Sequence, residues 1–378
     1  MWQCRQTSCA GVFPASPWAM RFPSFLIGVF MVVQPARAWW DGGHKAIALI
    51  AYDHLSESER AWVMTRLEAH PTREELFELP LREEFASAAP DADTRARWFF
   101  AQAAIWSDLI RRDGGYPNAK EINAAHHHST WHYTDLAVFP DNAARAALAA
   151  KAAPPPMDWQ PGMTEPEEGF NSIQTLRRVL HELADPARDH GGQGVNLCWL
   201  FHCLGDTHQP CHCAQIFIPE KLPDGCEGAN RIMILGLKSA QPVLTSDVLH
   251  AFWDSLWNDE KNGLADVSAR LAPLKADAAL WSKGAEAARE LDPVEWLKEG
   301  HALAESHVYS PALLRRLAST SAQPNTRSSR GGNVMMVSMT TLDRDAYVRE
   351  ARFVSRQQMV TAGLRLAAVL KDVIARSH

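Results

Sequence analysis

The sequence predicts a single, mainly helical all-α domain, and three observations support that fold class. Apolar residues recur at helical spacing through most of the chain, whereas only residues 230–237 have the pattern of a short strand. The 378 residues contain neither a tandem repeat nor a clear linker that would divide them into domains. A composition of 46% hydrophobic and 22% charged residues is typical of a globular protein and excludes a disordered or fibrous chain.

The first predicted helices lie within residues 44–68, where the segment from Ser56 to Glu59 has the pattern of a capping box between two helices. Further helices are predicted over 93–111, 141–151, 168–184, 194–208, 246–260, about 275–305 and 345–376. Glycine or proline follows four of these helices, at Gly114, Pro154, Pro186 and Pro210. Residues 320–334, rich in Ser, Arg, Gly and Asn, are predicted to form a mobile loop.

The helix predicted for residues 194–208 is expected to be central to the fold. One apolar stripe runs along it, formed by Leu197, Leu200, Phe201 and Leu204, and Cys198 and Trp199 widen the apolar surface. His202 and Asp206 lie four residues apart on the opposite face, so their side chains project together. Polar groups inside a buried helix are costly unless they are paired or bound to a metal, which makes both residues candidate ligands.

The first 38 residues have the pattern of a secretory signal peptide. Arg21 precedes the apolar run 25–33, and Ala36-Arg37-Ala38 supplies the small residues that precede a cleavage site after Ala38. The alternative, a membrane anchor, needs an apolar run of about 20 residues, and this run is far shorter. We therefore expect a secreted or periplasmic mature chain, residues 39–378, with Trp39 at its N-terminus and no stable association with a membrane.

Removal of the leader changes the charge and the cysteine content. The full chain has a formal charge of −6, and the leader contains three Arg and no acidic residue, so the mature chain carries −9. This charge excludes binding of nucleic acid through a broadly basic surface. The mature chain keeps five cysteines: Cys198, Cys203, Cys211, Cys213 and Cys226. Export permits disulfides, but the odd number leaves at least one thiol unpaired, and the sequence leaves the pairing open.

Histidine and aspartate recur in five short motifs whose spacings suit metal ligation. The motifs are Trp39 to His44, Trp106-Ser107-Asp108, Trp131 to Asp135, His202 to His212, and His250 to Asp254. Two of them contain H-x-x-x-D, which places an imidazole and a carboxylate one helical turn apart. Each motif alone is weak evidence, because such a pair is more often a surface ion pair or a buried hydrogen bond. Their joint occurrence predicts a catalytic zinc site, whose ligands are imidazole and carboxylate rather than paired thiolates.

Two other histidine features are predicted to lie outside the ligand set. The run His126-His127-His128 has the character of a solvated loop. His208 is expected to have a structural, hydrogen-bonding role.

The five motifs together resemble the zinc-dependent single-strand-specific nucleases of fungi and plants, the nuclease S-one and P-one type, over about residues 39–375. The most specific part of the resemblance is the segment from His202 to His212 followed by the pair at 250 and 254. The smaller bacterial zinc-dependent phospholipases C are related and share the N-terminal Trp and a three-metal site. The resemblance implies a domain of the phospholipase C and P-one nuclease type, with a cleft that holds three zinc ions.

The resemblance also implies which residues hold these ions. The first ion would be bound by Asp108, His132, His202 and Asp206. The second would be bound by His44, by the amino nitrogen and carbonyl oxygen of Trp39, and by Asp206 as a bridge. The third would be bound by His212, His250 and Asp254. Because an amino group is a ligand only when it is free, we expect the precursor to bind fewer zinc ions and to be far less active.

Substrate contacts follow from the same resemblance. Arg111, three residues after Asp108, would contact the phosphate, and Asp108 would orient or deprotonate the attacking water as well as bind zinc. Tyr133 would stack on a base, and Asp135 would bind the edge of that base. The segment Gly228-Ala229-Asn230 resembles a G-G-N loop of the family near the nucleoside, and Ala229 departs from that pattern. Stacking requires an unpaired base, which favours single strands.

The expected activity is hydrolysis of single-stranded DNA or RNA to 5′-phosphate products by a zinc-dependent phosphodiesterase, with 3′-nucleotidase activity as a further expectation. One alternative is a phospholipase C-type enzyme acting on lipid head groups, which Tyr133, Asp135 and Arg111 disfavour. A second alternative is a non-catalytic zinc-binding protein on the same scaffold, although no motif ligand is missing. No obligate protein partner is expected.

The charge and the cysteines bear on this expectation in two ways. Three zinc ions would bring the mature charge from −9 to −3 and concentrate positive charge in the cleft, which predicts weak long-range attraction to polyanions. Cys211 and Cys213 flank His212, where the family usually has apolar or acidic neighbours. Either thiol could compete for zinc or form a disulfide with Cys226.

Overall fold

The computed structural model describes residues 39–111, 115–241, 243–325 and 331–377. Fourteen α-helices lie in these residues: α1 (Asp41–Asp53), α2 (Glu57–Glu68), α3 (Leu79–Glu84), α4 (Ala92–Leu109), α5 (Ala119–His126), α6 (Asn142–Leu148), α7 (Ser172–Leu183), α8 (His190–Thr207), α9 (Leu249–Ser255), α10 (Leu264–Leu271), α11 (Ala278–Ala287), α12 (Pro293–Leu303), α13 (Pro311–Ser319) and α14 (Thr341–Arg376). The predicted mainly helical fold is confirmed. The signal peptide predicted for residues 1–38 lies outside the described residues.

Helix starts are fixed by side chains that accept hydrogen bonds from the first free backbone N–H groups. The predicted capping box is present: the Ser56 hydroxyl accepts from the Glu59 N–H, and the Glu59 carboxylate accepts from the Ser56 N–H. The side chains of Asp91, Asp189 and Thr340 cap α4, α8 and α14 by accepting the backbone N–H three residues further on, without the reciprocal bond of a capping box. The helices therefore begin close to the positions that their sequences predict.

The helix predicted over about 275–305 is interrupted. A 3₁₀ turn covers Ala272–Ala276, α11 ends at Ala287, and α12 begins at Pro293. Pro293 has no backbone N–H to donate, and the preceding Asp292 accepts from the Val294 N–H, so a new helix starts there. A π-helical turn, Ala304–Val308, then follows α12 directly.

Short strands are more numerous than the sequence predicts. The strand expected within 230–237 is present as β3 (Ile232–Ile234), but β1 (Leu136–Val138), β2 (Ala214–Ile216), β4 (Gln323–Pro324) and β5 (Asn333–Val337) are additional. β1 pairs with β2 in parallel, and β5 pairs in parallel with β3 and antiparallel with β4. Part of the loop predicted over 320–334 therefore belongs to a sheet. Segments of two to five residues are too short to show a periodicity of two.

Helix α8 lies at the centre of the larger hydrophobic core, as predicted. It packs against α2, α4, α7 and α14, and every residue from Asn196 to Thr207 is buried. A second core forms around β3, β5 and α9. Because α8 is surrounded, its polar side chains at 202 and 206 cannot reach solvent and must find partners inside the protein.

No helix in the described part of the chain is long and apolar enough to cross a lipid bilayer.

Candidate metal centre

The N-terminal end of the described chain is fixed against α8. The side chain of Trp39 is fully buried, and its indole N–H donates to the carbonyl of Gly205 at 3.1 Å. The next residue, Trp40, donates its backbone N–H to the carbonyl of Asp254 at 3.0 Å. Two short segments that are distant in sequence, around 205 and around 254, are thereby brought to residues 39–40, and α1 then carries His44 into the same region.

Asp206 lies between three imidazoles. Its Oδ1 is 3.2 Å from His44 Nε2, and its Oδ2 is 3.3 Å from both His132 Nδ1 and His202 Nε2. Asp108 approaches from the last turn of α4, with Oδ1 at 3.8 Å from His202 Nε2. The carboxylate of Asp206 thus presents one oxygen to each of two groups of ligands, as a bridging ligand does.

A second cluster forms from the turn after α8 and from α9. His212 Nε2 and His250 Nε2 lie 3.1 Å apart, and they lie 3.6 and 3.3 Å from the carboxylate oxygens of Asp254. All three side chains are buried. Across the described residues, the side chains that could share a metal ion fall into three groups: His44, His202 and Asp206; Asp108, His132 and His202; and His212, His250 and Asp254.

Backbone carbonyls orient three of these imidazoles. The Nδ1 atoms of His202 and His212 lie 2.8 Å from the carbonyls of Ala104 and His132, and Nδ1 of His250 contacts the carbonyl of Gly228. A carbonyl only accepts, so each Nδ1 carries a proton and Nε2 is the atom left to bind a metal. All three Nε2 atoms face the clusters, which is the arrangement that metal-ligating histidines adopt.

The clusters contain buried polar atoms that lack hydrogen-bond partners within the described residues. They are both ring nitrogens of His44, both carboxylate oxygens of Asp206, Nε2 of His132, Oδ2 of Asp108 and Oδ2 of Asp254. Burial, with Asp108 and Asp254 nearby, raises the pKa of Asp206 well above its usual range when no cation is present. Burial also lowers the pKa of His44 and of His132, so both rings are neutral. Neutral imidazoles around an aspartate whose ionised form is disfavoured without a cation are the environment of a cation site.

One buried residue of this centre has no counterpart in the sequence-based set. Gln209 donates from Nε2 to Oδ1 of Asp254, and its own Oε1 accepts the backbone N–H of Cys211 at 2.6 Å. Gln209 therefore connects the turn that carries His212 to the aspartate of α9 and orients that carboxylate. A glutamine next to a proline gives no sequence signal for such a role.

The residue predicted to contact phosphate lies beside the first cluster. Arg111 donates from Nη1 to Oδ1 of Asp108 at 3.0 Å. Its side chain is 19% exposed, whereas that of Asp108 is 2% exposed. The guanidinium thus lies between the buried ligands and solvent, and its bond to Asp108 uses one of its five donors within the described residues.

The predicted base-binding residues fall near both clusters. Tyr133 is half-buried and directly follows His132, and Asn230 donates to the carbonyl of Glu227 at 2.8 Å in the loop whose Gly228 contacts His250. Burial raises the pKa of Asp135 to about 7. The charge of His250 opposes this shift, and the charge of Glu227 adds to it. Oδ1 of Asp135 has no hydrogen-bond partner within the described residues.

The cysteines do not take part in these groups. Cys198, Cys203, Cys211, Cys213 and Cys226 are all buried free thiols, and none belongs to the three candidate groups. The two roles considered for Cys211 and Cys213, competition for the metal and a disulfide to Cys226, are therefore not observed. The thiol of Cys213 instead donates to the carbonyl of Thr207 at 3.1 Å, so it serves as a small buried side chain.

Two other histidine features can now be placed. His126, His127 and His128 are half-buried rather than fully solvated, and His128 stacks on Trp131 with ring centroids 3.7 Å apart. None of the three belongs to the candidate groups. His208 has the predicted structural role, because its Nδ1 donates to the carbonyl of Leu204 at 2.8 Å.

Comparison with known proteins gives one finding. The family model described as S1/P1 Nuclease matches residues 39–375, which contain every candidate ligand and begin at the residue predicted to follow the leader. The comparison with curated proteins finds no match.

Proposed function

The chain belongs to the S1/P1 nuclease family and is a nuclease-type phosphodiesterase, and we propose from this premise that it is a secreted, zinc-dependent enzyme that cleaves single-stranded DNA or RNA. The proposed products carry 5′-phosphates, and 3′-nucleotidase activity is proposed for the same site. The observation that carries the proposal is the buried Asp206 carboxylate, which faces His44 with one oxygen and His132 and His202 with the other.

The proposed ligand set assigns every candidate residue to one of three zinc ions. Asp108, His132, His202 and Asp206 hold the first ion, and His212, His250 and Asp254 hold the third. The second ion is held by His44, by Asp206, and by the amino nitrogen and carbonyl oxygen of Trp39. The orphaned ring nitrogens and carboxylate oxygens of these residues support the assignment, since a buried charge of this kind needs a cation.

The zinc ions, when bound, supply a water-derived nucleophile at neutral pH and positive charge near the leaving oxygen. The chain contributes the rest of the chemistry. In this proposal Asp108 orients the attacking water or accepts a proton from it, and its Oδ2, which has no hydrogen-bond partner within the described residues, is the oxygen available for this. Arg111 donates to the phosphate oxygens on which negative charge accumulates. An oxygen–phosphorus bond forms from water, the bond from phosphorus to the 3′-oxygen breaks, and that oxygen takes a proton to leave as a hydroxyl.

Tyr133 and Asp135 supply the preference for single strands in this proposal. A half-buried aromatic side chain next to a metal ligand offers a stacking face to a base that is already unpaired. Asp135 binds the base edge, and Asn230 holds the loop on the other side. A lipid head group has no flat aromatic surface to stack, so this pair favours a nucleotide over the phospholipase alternative.

The test is hydrolysis and zinc content of the mature protein, residues 39–378, and of two variants. Asp206→Asn should lower turnover on single-stranded DNA by more than about 100-fold, because loss of groups that merely orient metal ligands already costs about 10–100-fold. Asp224→Asn is the matched control, since Asp224 is exposed and its ion pair within the described residues is with Lys151, and it should keep full activity. Faster hydrolysis of phosphatidylcholine than of single-stranded DNA would instead support the phospholipase alternative. Zinc binding without any hydrolysis would support the non-catalytic alternative.

A further inference from the structure

Arg365 is a buried arginine that is distant in sequence from the candidate ligands. It connects α14 to α11, to α12 and to the end of α8. The side chain of Arg365, in the middle of α14, is fully buried. Its guanidinium pairs with both carboxylate oxygens of Glu299 on α12, at 2.7 and 2.8 Å. It also donates from Nε and Nη2 to the carbonyl of Ala287 at the end of α11, at 3.2 and 3.0 Å.

The remaining donor of this guanidinium reaches the end of α8. Nη1 of Arg365 lies 2.8 Å from Nε2 of His208. Since Nδ1 of His208 donates to the carbonyl of Leu204, its Nε2 carries no proton and accepts from the arginine. All five N–H groups of Arg365 are thereby used, and each partner sits on a different segment. Such complete use of a buried cation fixes geometry more strictly than a single ion pair would.

The segment held by His208 is the one that connects the two metal clusters. Asp206 lies two residues before His208, and Gln209, which contacts the carboxylate of Asp254, follows it directly. The Gln209 N–H donates to the carbonyl of Asp206 at 2.9 Å, so the turn is tight. A shift of His208 would therefore move Asp206 and Asp254 relative to each other.

We infer that Arg365 is a positioning residue that, through His208 and Glu299, sets the spacing between Asp206 and the cluster of His212, His250 and Asp254. Among the described residues, Arg365 and Glu299 form their hydrogen bonds and ion pair with each other, Ala287 and His208 rather than with a candidate ligand. The inference rests on the proposed metal centre, because it concerns the residues that would hold the ions. It adds a role for α12 and α14, which contribute no ligand of their own.

The experiment compares Arg365→Met and Arg365→Lys with the mature wild-type protein. The first variant removes the guanidinium while keeping a long side chain, and the second keeps the charge but cannot reach three partners at once. Val373→Ala is the control, since Val373 is buried two turns further along the same helix and is not bonded to His208. The readouts are zinc affinity by competition with a chelator, the visible spectrum after replacement of zinc by Co²⁺, and thermal unfolding of the metal-free protein.

We expect Arg365→Met to weaken zinc binding by at least tenfold and to change the cobalt spectrum, with Arg365→Lys intermediate. Val373→Ala should lower the unfolding temperature of the metal-free protein but leave zinc affinity and the cobalt spectrum unchanged. If wild-type protein binds zinc and Arg365→Met binds it equally well with the same spectrum, the inference is overturned while the proposed function stands. Wild-type protein that binds no zinc overturns both.

Discussion

Ala229 occupies backbone that normally favours glycine. Its φ is +72°, its methyl group is buried, and it replaces a glycine of the expected G-G-N pattern in the loop that contacts His250. A non-glycine residue in this region costs about 1–2 kcal/mol. Glycine would lose about 0.8 kcal/mol of methyl burial and about 0.4–1 kcal/mol through a more flexible unfolded chain. The three effects nearly cancel.

We therefore expect Ala229→Gly to leave the free energy of unfolding within about 1 kcal/mol of wild type. Ala103→Gly is the matched control, because Ala103 is equally buried but lies in regular helix within α4. In a helix, the lower helix preference of glycine and the loss of a buried methyl group both destabilise the folded state. The expected loss of unfolding free energy is therefore about 2 kcal/mol. Urea unfolding of both variants measures the difference. Equal losses at the two positions would show that the loop carries no strain.

His70 is buried in its neutral form. Its Nδ1 accepts the backbone N–H of Thr72 at 3.1 Å, and its ring packs against Trp106. Burial, with a smaller contribution from the charge of His126, lowers the pKa of His70 to about 3. The unfolded chain takes up a proton near the ordinary histidine pKa and the folded chain does not. Stability supplied by the neutral ring is therefore lost as the pH falls below about 6.5.

We expect His70→Asn, whose side-chain oxygen can replace Nδ1 as an acceptor, to reduce this pH dependence. Between pH 6.5 and pH 5 the wild type should lose about 1.6 kcal/mol more unfolding free energy than the variant, because the unfolded-state histidine goes from half to almost fully protonated over that interval. The measurement is urea unfolding of metal-free protein at both pH values, so that zinc binding makes no contribution. Parallel profiles for the two proteins would mean that His70 takes up a proton in the folded state.

At the residue scale, the sequence predicts which side chains come together but not how they are held. His202, Asp206, His250 and Asp254 are recognisable because helical spacing places each pair on one face. The carbonyls of Ala104, His132 and Gly228 that orient the imidazoles are backbone groups, present at every position, so no residue type marks them. Long-range partners such as Arg365 and Gln209 depend on helix packing that the local pattern does not contain.

At the scale of elements, long amphipathic helices are predictable and short elements are not. The capping box at Ser56 and the central, buried position of α8 follow from residues within a few turns. Strands β1 and β2 have three residues each, and the contact of His212 with the carbonyl of His132 brings the segments that precede them together. Their parallel pairing is thus a consequence of the site as much as of the strands' own sequences.

Helices α1 and α14 approach each other closely at Gly363. A Cβ added there would lie 2.5 Å from Cβ of Ile50 and 3.0 Å from the backbone oxygen of Ile47. Gly363→Ala gains about 1 kcal/mol in helix preference but must separate two backbones, and overpacking of this kind costs about 1–3 kcal/mol. We expect no net gain and a loss of stability of up to about 2 kcal/mol.

Gly284→Ala on α11 is the matched control for this helix contact. Its added Cβ would lie 3.1 Å from Leu364 Cδ1 and Val360 Cγ1, which must shift by a few tenths of an ångström, and at an ordinary 3.7 Å from the nearest backbone atom, the Thr361 nitrogen. The control should be neutral or up to about 1 kcal/mol more stable. Denaturant unfolding of both variants decides the matter, and a stabilised Gly363→Ala protein would show that α1 and α14 can separate without cost.

At the scale of the whole molecule, the net charge of the chain is a poor guide to its substrate class. The way the fold brings the candidate ligands together is a better one. The mature chain is expected to carry −9, yet its candidate ligands come from α1, α4, α8, α9 and the segments between them and converge in one buried region. In the proposed enzyme, positive charge for a phosphate would be supplied by bound cations and Arg111 rather than by a basic surface. Composition reports the average surface and contains no information on such a convergence.

The same convergence makes the start of the mature chain part of the proposed site. Trp39 is held by Gly205, next to Asp206, and Trp40 is held by Asp254, so the backbone at position 39 has a fixed place beside both clusters. A free amino group there can bind a metal only when it is deprotonated, and its ordinary pKa is about 7.7–8.0. An amide nitrogen, which is what an attached leader would leave, has no lone pair available for a metal.

We therefore expect protein that begins at Trp39 to bind three zinc ions, and protein that retains residues 1–38 to bind fewer and to be far less active. A chain that begins at Ala38 is the sharpest control, because it differs by one residue and lacks only the free amino group of Trp39. Zinc content by elemental analysis and hydrolysis of single-stranded DNA are measured on all three. Equal zinc content in the three proteins would remove Trp39 from the ligand set. The Asp206-centred groups would then have to account for activity without an N-terminal ligand.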